Sequence, residues 1–345
     1  MDEKTANPKS MKMLILRGIR KTLLEYGTTT KVDLSKKLKI SFPTISKIIA
    51  QMENDGEVIS VGLDESSGGR RAKRYMYNPE YMQGLAIFLE KSETNYIIFN
   101  CLGEIKNQGK LSSVLIDGGS DILTTYIEKI INENPKISSM AIGVPGAVDN
   151  GRVFHIPGYE HFQNIDLQGY FEKYFSLPVV VENDMNAAIL GYYKKWNGKD
   201  QSLVYLYTGQ NGPGAGIILN GIIVRGSTFF SGEVQFIPQY NDRNFLQALK
   251  REIGKAKKMI SEEYEIDAIS RLVASIVAII NPHVFIFCED EVDEIILETI
   301  KAKSSKYIPL EHLPEFEASN WEQDYLVGLK TLCLDVMIDE ISNNT

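Results

Sequence analysis

The sequence predicts an α/β protein built in two unequal parts: a small basic module of three helices closed by a β-hairpin, then a larger acidic body of alternating strands and helices. Charge is the first observation behind this division. Residues 1–78 hold 15 Lys and Arg against 9 Asp and Glu, net +6, whereas residues 79–345 hold 22 against 36, net −14. Periodicity is the second. Apolar residues recur at helical spacing up to residue 56 and give way to two short β segments, while from Gln83 onward near-continuous apolar strands alternate with helices. Length agrees, because 345 residues exceed one ordinary core at roughly 100–200 residues per domain.

Composition narrows the class. With 43% hydrophobic and 24% charged residues the chain reads as globular, and it contains no apolar run near the roughly 20 residues of a membrane span. Residues 1–10, "MDEKTANPKS", lack the apolar stretch of a secretory signal. Cys101, Cys288 and Cys333 lie far apart with no Cys-x-x-Cys pair, so neither a disulfide framework nor a cysteine-rich metal site is indicated. The expected compartment is the cytoplasm.

Within the first module, residues 12–26 read as a helix, because Leu16, Ile19 and Leu23 recur at spacings of three and four with Arg17, Arg20 and Lys21 between them. Gly27 ends it. A second helix spans 31–38, with Val32, Leu34 and Leu38 apolar. Ser41 then has the character of an N-cap with Pro43 in the first turn, opening a third helix that runs to about Asn54 and is closed by Gly56. Its apolar stripe is Ile45, Ile48, Ile49 and Met52, which leaves Thr44, Ser46, Lys47 and Gln51 on other faces. Short polar residues and a lysine at the start of a helix suit a DNA major groove.

Two segments, "EVISVG" and "RYMYN", form the hairpin, the wing of a winged helix-turn-helix. Between and across them runs "SSGGRRAKRY", with four cations in ten residues. Gly68 and Gly69 let the backbone approach a narrow groove, while Arg70 and Arg71 reach phosphates or minor-groove acceptors. A plain bundle or a protein-binding arm is the alternative; helix spacing, hairpin and basic loop together favour DNA.

In the body, "GLAIFLE" and "NYIIFN" read as strands, 121–132 as a helix, "SSMAIGV" as a strand, and "PVVVEND" as a strand leading into the helix "MNAAILGYYKK". "LVYLYTG" and "GAGIILNGIIVRG" read as a β-hairpin turned by "LNG", since Asn-Gly suits the positive φ angles of a tight turn. A helix over 267–280 and the strand "HVFIFC" complete a second α/β unit.

The run "DLSKKLKISFPTISKIIAQMENDGEVISVGLDESSGGRRAKRYMYNP" resembles the DNA-binding domain of the ROK family (repressors, open reading frames, kinases), whose repressors join a winged helix to a sugar-kinase-like body. "AIGVPGAVDNGRV", "VENDMNAAILGYY" and "GPGAGIILNGIIVRGSTFFSGEVQF" resemble three motifs of that body, in order. The resemblance implies a winged helix-turn-helix over 1–78 with a basic wing and linker. It also implies a two-lobed actin-like (sugar kinase/ribonuclease H-like) ATPase-type body, with lobes at 79–190 and 191–345 and the C-terminal helix returning to the first lobe. Thr44, Ser46 and Lys47 would then belong to the recognition helix and Gly68, Gly69, Arg70 and Arg71 to the linker that contacts DNA.

The cleft between the lobes would hold the ligand. Asn183 and Asp184 sit where a strand gives way to a helix, a usual ligand position in open α/β folds, and a carboxylate and an amide there suit sugar hydroxyls. An N-cap role is the simpler alternative for either. In the kinases that this chain resembles, the residue at Asp184 is the base that deprotonates the attacking hydroxyl. The resemblance adds Gly146 and Glu233 to the ligand set. Gln235 and Phe236 replace the glycine and histidine of Gly-Glu-x-Gly-His, and the cysteine-rich zinc loop is missing, so no metal is expected.

Phosphoryl transfer needs glycine-rich turns around the nucleotide. The family's Asp-Ile-Gly-Gly-Thr falls on "EKSET", with Ser92 and Glu93 in place of the glycines and Glu93 directed at the phosphates. Its C-terminal glycines fall on Cys288, Glu289 and Asp290. "GPGAG", 212–216, is either an anion cradle or a structural loop. His155, His161, Tyr159 and Phe162 lie near the cleft in sequence, the last two as candidate stacking partners for a sugar. A second basic stretch, Arg243, Lys250, Arg251, Lys255, Lys257 and Lys258, reads as a solvated helix face.

The expected protein is a sugar-responsive DNA-binding transcriptional regulator, a repressor, with no cofactor and Asp184 a vestigial base. Its partners would be operator DNA, a sugar effector and a second copy in a homodimer, or a tetramer, with no membrane contact. An active sugar kinase carrying a DNA-binding arm and a ligand-independent DNA-binding dimer are the alternatives. If the wing loop meets phosphates, replacing Arg70 and Arg71 by alanine flattens the salt dependence of duplex binding; an unchanged slope places the loop in solvent.

Overall fold

A computed structural model describes residues 8–64, 71–156, 159–196, 200–209, 212–251 and 259–340. Helix α1 (Pro8–Tyr26) begins four residues before the apolar periodicity does and ends at Gly27, whose φ of 70° a side chain would disfavour. Strand β1 (Thr29–Thr30) follows, and Thr30 caps α2 (Lys31–Leu38) by accepting from the Asp33 N–H at 3.1 Å. Ser41 caps α3 (Phe42–Asn54) by accepting from the Thr44 N–H at 3.4 Å, with Pro43 in the first turn. Strands β2 (Val58–Leu63) and β3 (Lys73–Tyr77) pair antiparallel, and β1, too short to read from sequence, adds to the far edge of β3. Leu16, Ile19, Leu23, Leu34, Ile45, Ile49 and Met52 form the core of this winged helix.

One helix-face assignment is corrected. Arg20 falls between the apolar residues of α1, yet it is 1% exposed and pairs with the equally buried Glu57 at 2.5 and 3.2 Å. The Tyr77 hydroxyl donates to the same carboxylate at 3.0 Å, so the charge is matched inside the module.

The body repeats one topology. First come β4 (Gln83–Leu89), β5 (Glu93–Asn100), β6 (Ile105–Ser112), α4 (Val114–Asp117), α5 (Ser120–Glu133) and β7 (Ile137–Val144). The small hairpin β8 (Ala147–Asp149) and β9 (Arg152–His155), then β10 (Ile165–Asp166), α6 (Leu167–Phe175), β11 (Val179–Asn183) and α7 (Asp184–Lys195) follow. The second unit holds β12 (Leu203–Tyr207), β13 (Gly214–Leu219), β14 (Ile222–Ile223), β15 (Pro238–Gln239), β16 (Arg243–Asn244) and α8 (Phe245–Leu249). It continues with α9 (Glu263–Ile280), β17 (Val284–Cys288), α10 (Glu294–Ser304), β18 (Glu315–Ser319) and α11 (Trp321–Glu340).

Among the described residues, the first five-stranded sheet has the order β11-β7-β4-β5-β6 and the second β14-β13-β12-β17-β18. In each, three antiparallel strands in succession are extended by two parallel ones next to the first, so the two sheets share one connectivity. This is the two-lobed actin-like plan. The "LNG" turn is placed differently from expectation. Asn220 and Gly221, at φ 49° and 79°, join β13 to the short β14, whereas β12 reaches β13 through residues 208–213. No helix among the described residues is long and apolar enough to cross a membrane.

Helices α7 and α11 lie between the sheets in a shared core with Tyr205, Ile286, Ala86 and Phe88. Their backbones touch. A Cβ on Gly191 would meet the Asp324 carbonyl oxygen at 1.8 Å, and one on Gly328 would meet that of Ala187 at 1.8 Å. Helix axes approach this closely only where side chains are absent. Gly191→Ala and Gly328→Ala are each expected to lower the unfolding free energy by about 1–3 kcal/mol, the usual cost of overpacking. Urea denaturation checks this; wild-type midpoints for both variants would overturn the account of the crossing.

Candidate functional site

On the winged helix, Thr44 and Ser46 are half-buried on α3 and Lys47 is exposed. The Ser46 hydroxyl accepts from the Lys31 ammonium at 3.3 Å, and a groove between α3 and the hairpin is lined by Lys31, Ser46, Arg71, Lys73 and Tyr75. The Tyr75 ring is flanked by the Lys31 and Lys73 ammonium groups, 5.4 and 5.3 Å from its centroid. Lys31 was not singled out in sequence; its signal is its place at the first turn of a capped helix beside the wing. Gly68, Gly69 and Arg70 lie outside the described residues, and Arg71 is exposed. The four cations of the wing are not equivalent. Arg74 is committed to holding the wing, donating to the Thr28 carbonyl at 3.0 Å and pairing with Asp64 at 2.9 Å, and Lys73 pairs with Glu53 at 2.6 Å.

The structure brings Gly146, Asn183, Asp184 and Glu233 into one cleft between the lobes, with Tyr207 and Arg225. Asn183 ends β11 and caps α7: its Oδ1 accepts from the Asn186 N–H at 3.0 Å while its Nδ2 donates to the Gly146 carbonyl at 3.0 Å. The amide therefore has a structural role. Asp184 is the first residue of α7 and buried, its Oδ1 accepting from the Met185 N–H at 2.8 Å. Burial pushes its carboxyl up to about 7, and the charge of Glu233 pushes the same way. Glu233 comes from the other lobe, where Gln235 Nε2 donates to its Oε2 at 2.8 Å.

Sequence reasoning missed the pair that joins the two walls. The guanidinium of Arg225, just beyond β14, donates to the buried carboxylate of Glu182 on β11, which also accepts from the Asn183 N–H at 2.9 Å and from Asn186 Nδ2 at 3.0 Å. A glutamate closing the otherwise apolar strand "VVVEN" was the available signal. Phe162 is fully buried in the first-lobe core, so it cannot stack on a ligand, and neither it, Tyr159 nor His161 lines the cleft. The 3-10 turn Glu160–Phe162 contacts β9, and Phe162 joins the core of that lobe.

Carboxylates at the positions that the family resemblance gives to phosphate-binding turns are paired within the chain. Glu93 does not face the cleft as expected; it pairs with Lys110 on the neighbouring strand at 2.7 Å. Glu289 accepts from Asn320 Nδ2 at 2.6 Å. The next carboxylate, Glu291, is buried and accepts from both the backbone N–H and the hydroxyl of Thr208, at 3.0 and 2.7 Å. Arg251 completes this cradle at 2.6 Å from the Thr208 hydroxyl and 3.4 Å from Glu291, and pairs with Glu265 at 2.9 Å. Arg251 thus departs from the solvated-face reading of the second basic stretch, whose Lys255, Lys257 and Lys258 lie outside the described residues. In "GPGAG", residues 214–216 belong to β13, and a Cβ on Gly216 would meet the Met185 carbonyl oxygen at 2.3 Å, so that glycine serves packing.

The arrangement presents carboxylates, an amide and an aromatic wall, which suits a polyhydroxylated ligand. Because the Asp184 carboxyl is raised in the folded protein above its unfolded value of 3.8, ionising it opposes folding. Both states are protonated below that value; the penalty grows as pH rises from about 4 and is complete above about 7. Asp184→Asn is therefore expected to be more stable than wild type at pH 8 by up to about 4 kcal/mol, converging with it at pH 4. Thermal unfolding across that range decides, and a pH-independent difference would contradict it.

Comparison with known proteins agrees with this geometry. Residues 91–239 match the ROK family. A xylose repressor from Caldicellulosiruptor bescii is 30% identical over 242 residues, 65% of this chain and 57% of that protein, so the match spans little more than half of the relative's length. A beta-glucoside kinase from Listeria innocua is 33% identical over 130 residues, 36% of this chain and 44% of that protein. The crystal structure of a ROK family transcriptional regulator, a homologue of the E. coli MLC protein, superposes with a TM-score of 0.72 at 20% identity over 96% of this chain and 98% of its own. Sequence match and shared two-lobed architecture point the same way: residues 91–239 resemble a ROK family domain within a chain of actin-like fold.

Proposed function

We propose that the protein is a sugar-responsive DNA-binding transcriptional regulator, a repressor, acting as a homodimer in the cytoplasm. Residues 1–78 serve as the winged helix, 79–190 and 191–345 as the lobes of the sensor. Gly146, Asn183, Asp184 and Glu233 take the sugar, and Thr44, Ser46, Lys47 and the 68–71 segment take the operator. The likeness to repressors supports this reading, and one observation carries it. Trp321, Tyr325, Leu329 and Cys333 of α11 bury in the core between the lobes, while Met337, one turn beyond Cys333, buries in the core of the winged helix. Trp321 stacks on the cleft-lining Tyr207 with centroids 4.6 Å apart and planes 6° from parallel. A change in cleft closure therefore meets the DNA-binding module through one rigid helix about 30 Å long.

The Glu291 carboxylate on Thr208 argues against turnover. A backbone N–H, a hydroxyl and a guanidinium form a natural oxyanion site, and here that site is already satisfied from within. The kinase reading keeps one observation in its favour, the retained Asp184 with its carboxyl raised to about 7, suited to a general base. Duplex DNA selected from a random pool, then titrated with a hexose and pentose panel, tests the proposal. A cognate sugar is expected to change operator affinity by about 5–150-fold, the usual range of allosteric coupling. Sugar-dependent ADP release at ordinary enzyme rates would replace the sensor by a kinase, and silence toward every sugar would leave a ligand-independent dimer.

A further inference from the structure

We propose that the ligand of this cleft is a neutral glycoside of at least two rings, a disaccharide or an aryl glycoside, with Phe229 as platform for the first ring and the Phe230–Phe236 pair as seat for the second. The proposal rests on the reading of the cleft as an effector site. It starts from backbone strain. Phe229 lines the cleft at φ 57°, a left-handed conformation that bulky side chains avoid. Gly226 and Gly232, at φ 77° and 93°, are glycines, so the loop uses glycine where only the chain path demands it and keeps a phenyl ring where the cleft wall runs. Hydrogen bonds on both sides hold the residue there: the Ser231 N–H donates to the Arg225 carbonyl at 3.3 Å and the Ala215 N–H to that of Gly232 at 2.8 Å. Strain maintained by its surroundings at a ligand cleft points to a role for the ring.

The chemistry opposite Phe229 fits one face of a sugar. A pyranose presents C–H bonds on its faces and hydroxyls around its edge, and the cleft sets an aromatic ring among Asp184, Asn183 and Glu233. Gln235 steadies one oxygen of Glu233, leaving the other for a hydroxyl. Phosphorylated sugars are disfavoured, because two carboxylates line the site and the Arg225 guanidinium is paired with Glu182.

The second ring is indicated by two aromatic residues that adjoin the cleft wall in the chain. Phe230 and Phe236 are 54% and 53% exposed, and their rings pack together with centroids 5.3 Å apart. Each is bonded directly to a residue of the cleft wall, Phe230 to Phe229 and Ser231, Phe236 to Gln235. Two exposed rings beside a polar pocket form an apolar step that a monosaccharide bound on the carboxylates leaves bare and a glycoside covers.

Calorimetry on the full chain tests this with glucose, xylose, cellobiose, xylobiose, phenyl β-glucoside and glucose 6-phosphate. At least one two-ring ligand is expected to bind about tenfold or more tightly than its own monosaccharide, the gain of burying one further aromatic contact. Phe230→Ala/Phe236→Ala, which changes only exposed rings, is expected to abolish that gain and leave monosaccharide affinity unchanged. Phe229→Gly is expected to weaken both ligand classes while its melting temperature stays level or rises, because the strained φ is relieved. Equal binding of one and two rings, a gain that survives the double substitution, tightest binding of the phosphate, or a double variant that alters only oligomeric state would each overturn the inference while leaving a sugar sensor intact. Absence of binding by every sugar would overturn the sensor as well.

Discussion

The contact between α7 and α11 is the constraint on which the rest of the structure depends. Gly191 and Gly328 let the two backbones meet, and that approach sets the line Trp321, Tyr325, Leu329 and Cys333 into the space between the sheets. Met337, one further turn along, enters the winged-helix core, because an i+4 row winds about 40° round the helix at each step and has by then turned away from the space between the sheets. Close-packed cores move as units rather than deforming smoothly. A helix shared by two of them joins the lobes to the winged helix, the link that the proposed sensor requires.

Ion pairs with a buried carboxylate supply the geometry that apolar packing leaves undetermined. Arg20–Glu57 fixes α1 against the hairpin, Arg225–Glu182 fixes the second lobe against the end of β11, and Arg251 draws Glu265 and Glu291 onto Thr208. Desolvation offsets most of the attraction in such pairs, whereas losing one partner is strongly unfavourable, so they select an arrangement more than they stabilise the fold. The Arg225–Glu182 pair matters most for the site. Its carboxylate also holds the Asn183 N–H and the Asn186 amide, so the residues at the start of α7 are set before any ligand arrives.

The cleft and the region beside its Tyr207 wall are chemically unlike. On one side Asp184 and Glu233 face solvent-accessible space with hydrogen-bonding capacity remaining. On the other, Glu291 occupies the donors of Thr208, and Tyr207 lies flat on Trp321. What differs is whether polar groups are left open or satisfied by the chain itself.

Sequence by itself determined the elements of the winged helix, the caps at Ser41 and Gly27, the strand-to-helix step at Asn183–Asp184 and the two-part charge distribution. These follow from interactions between residues a few positions apart, which spacing, turn chemistry and capping preferences record directly. Tertiary structure alone decided that Arg20 is buried, that Arg251 turns inward onto Glu265 and Thr208, that Arg74 binds the wing rather than facing outward, that Phe162 is core, and that Glu93 pairs with Lys110 while Glu291 holds Thr208. It also decided the pairing of Arg225 with Glu182, 43 residues apart. A charged or aromatic side chain carries no local mark of burial, because its environment is set by partners that the fold brings from distant positions, and only the packed chain says which charges meet.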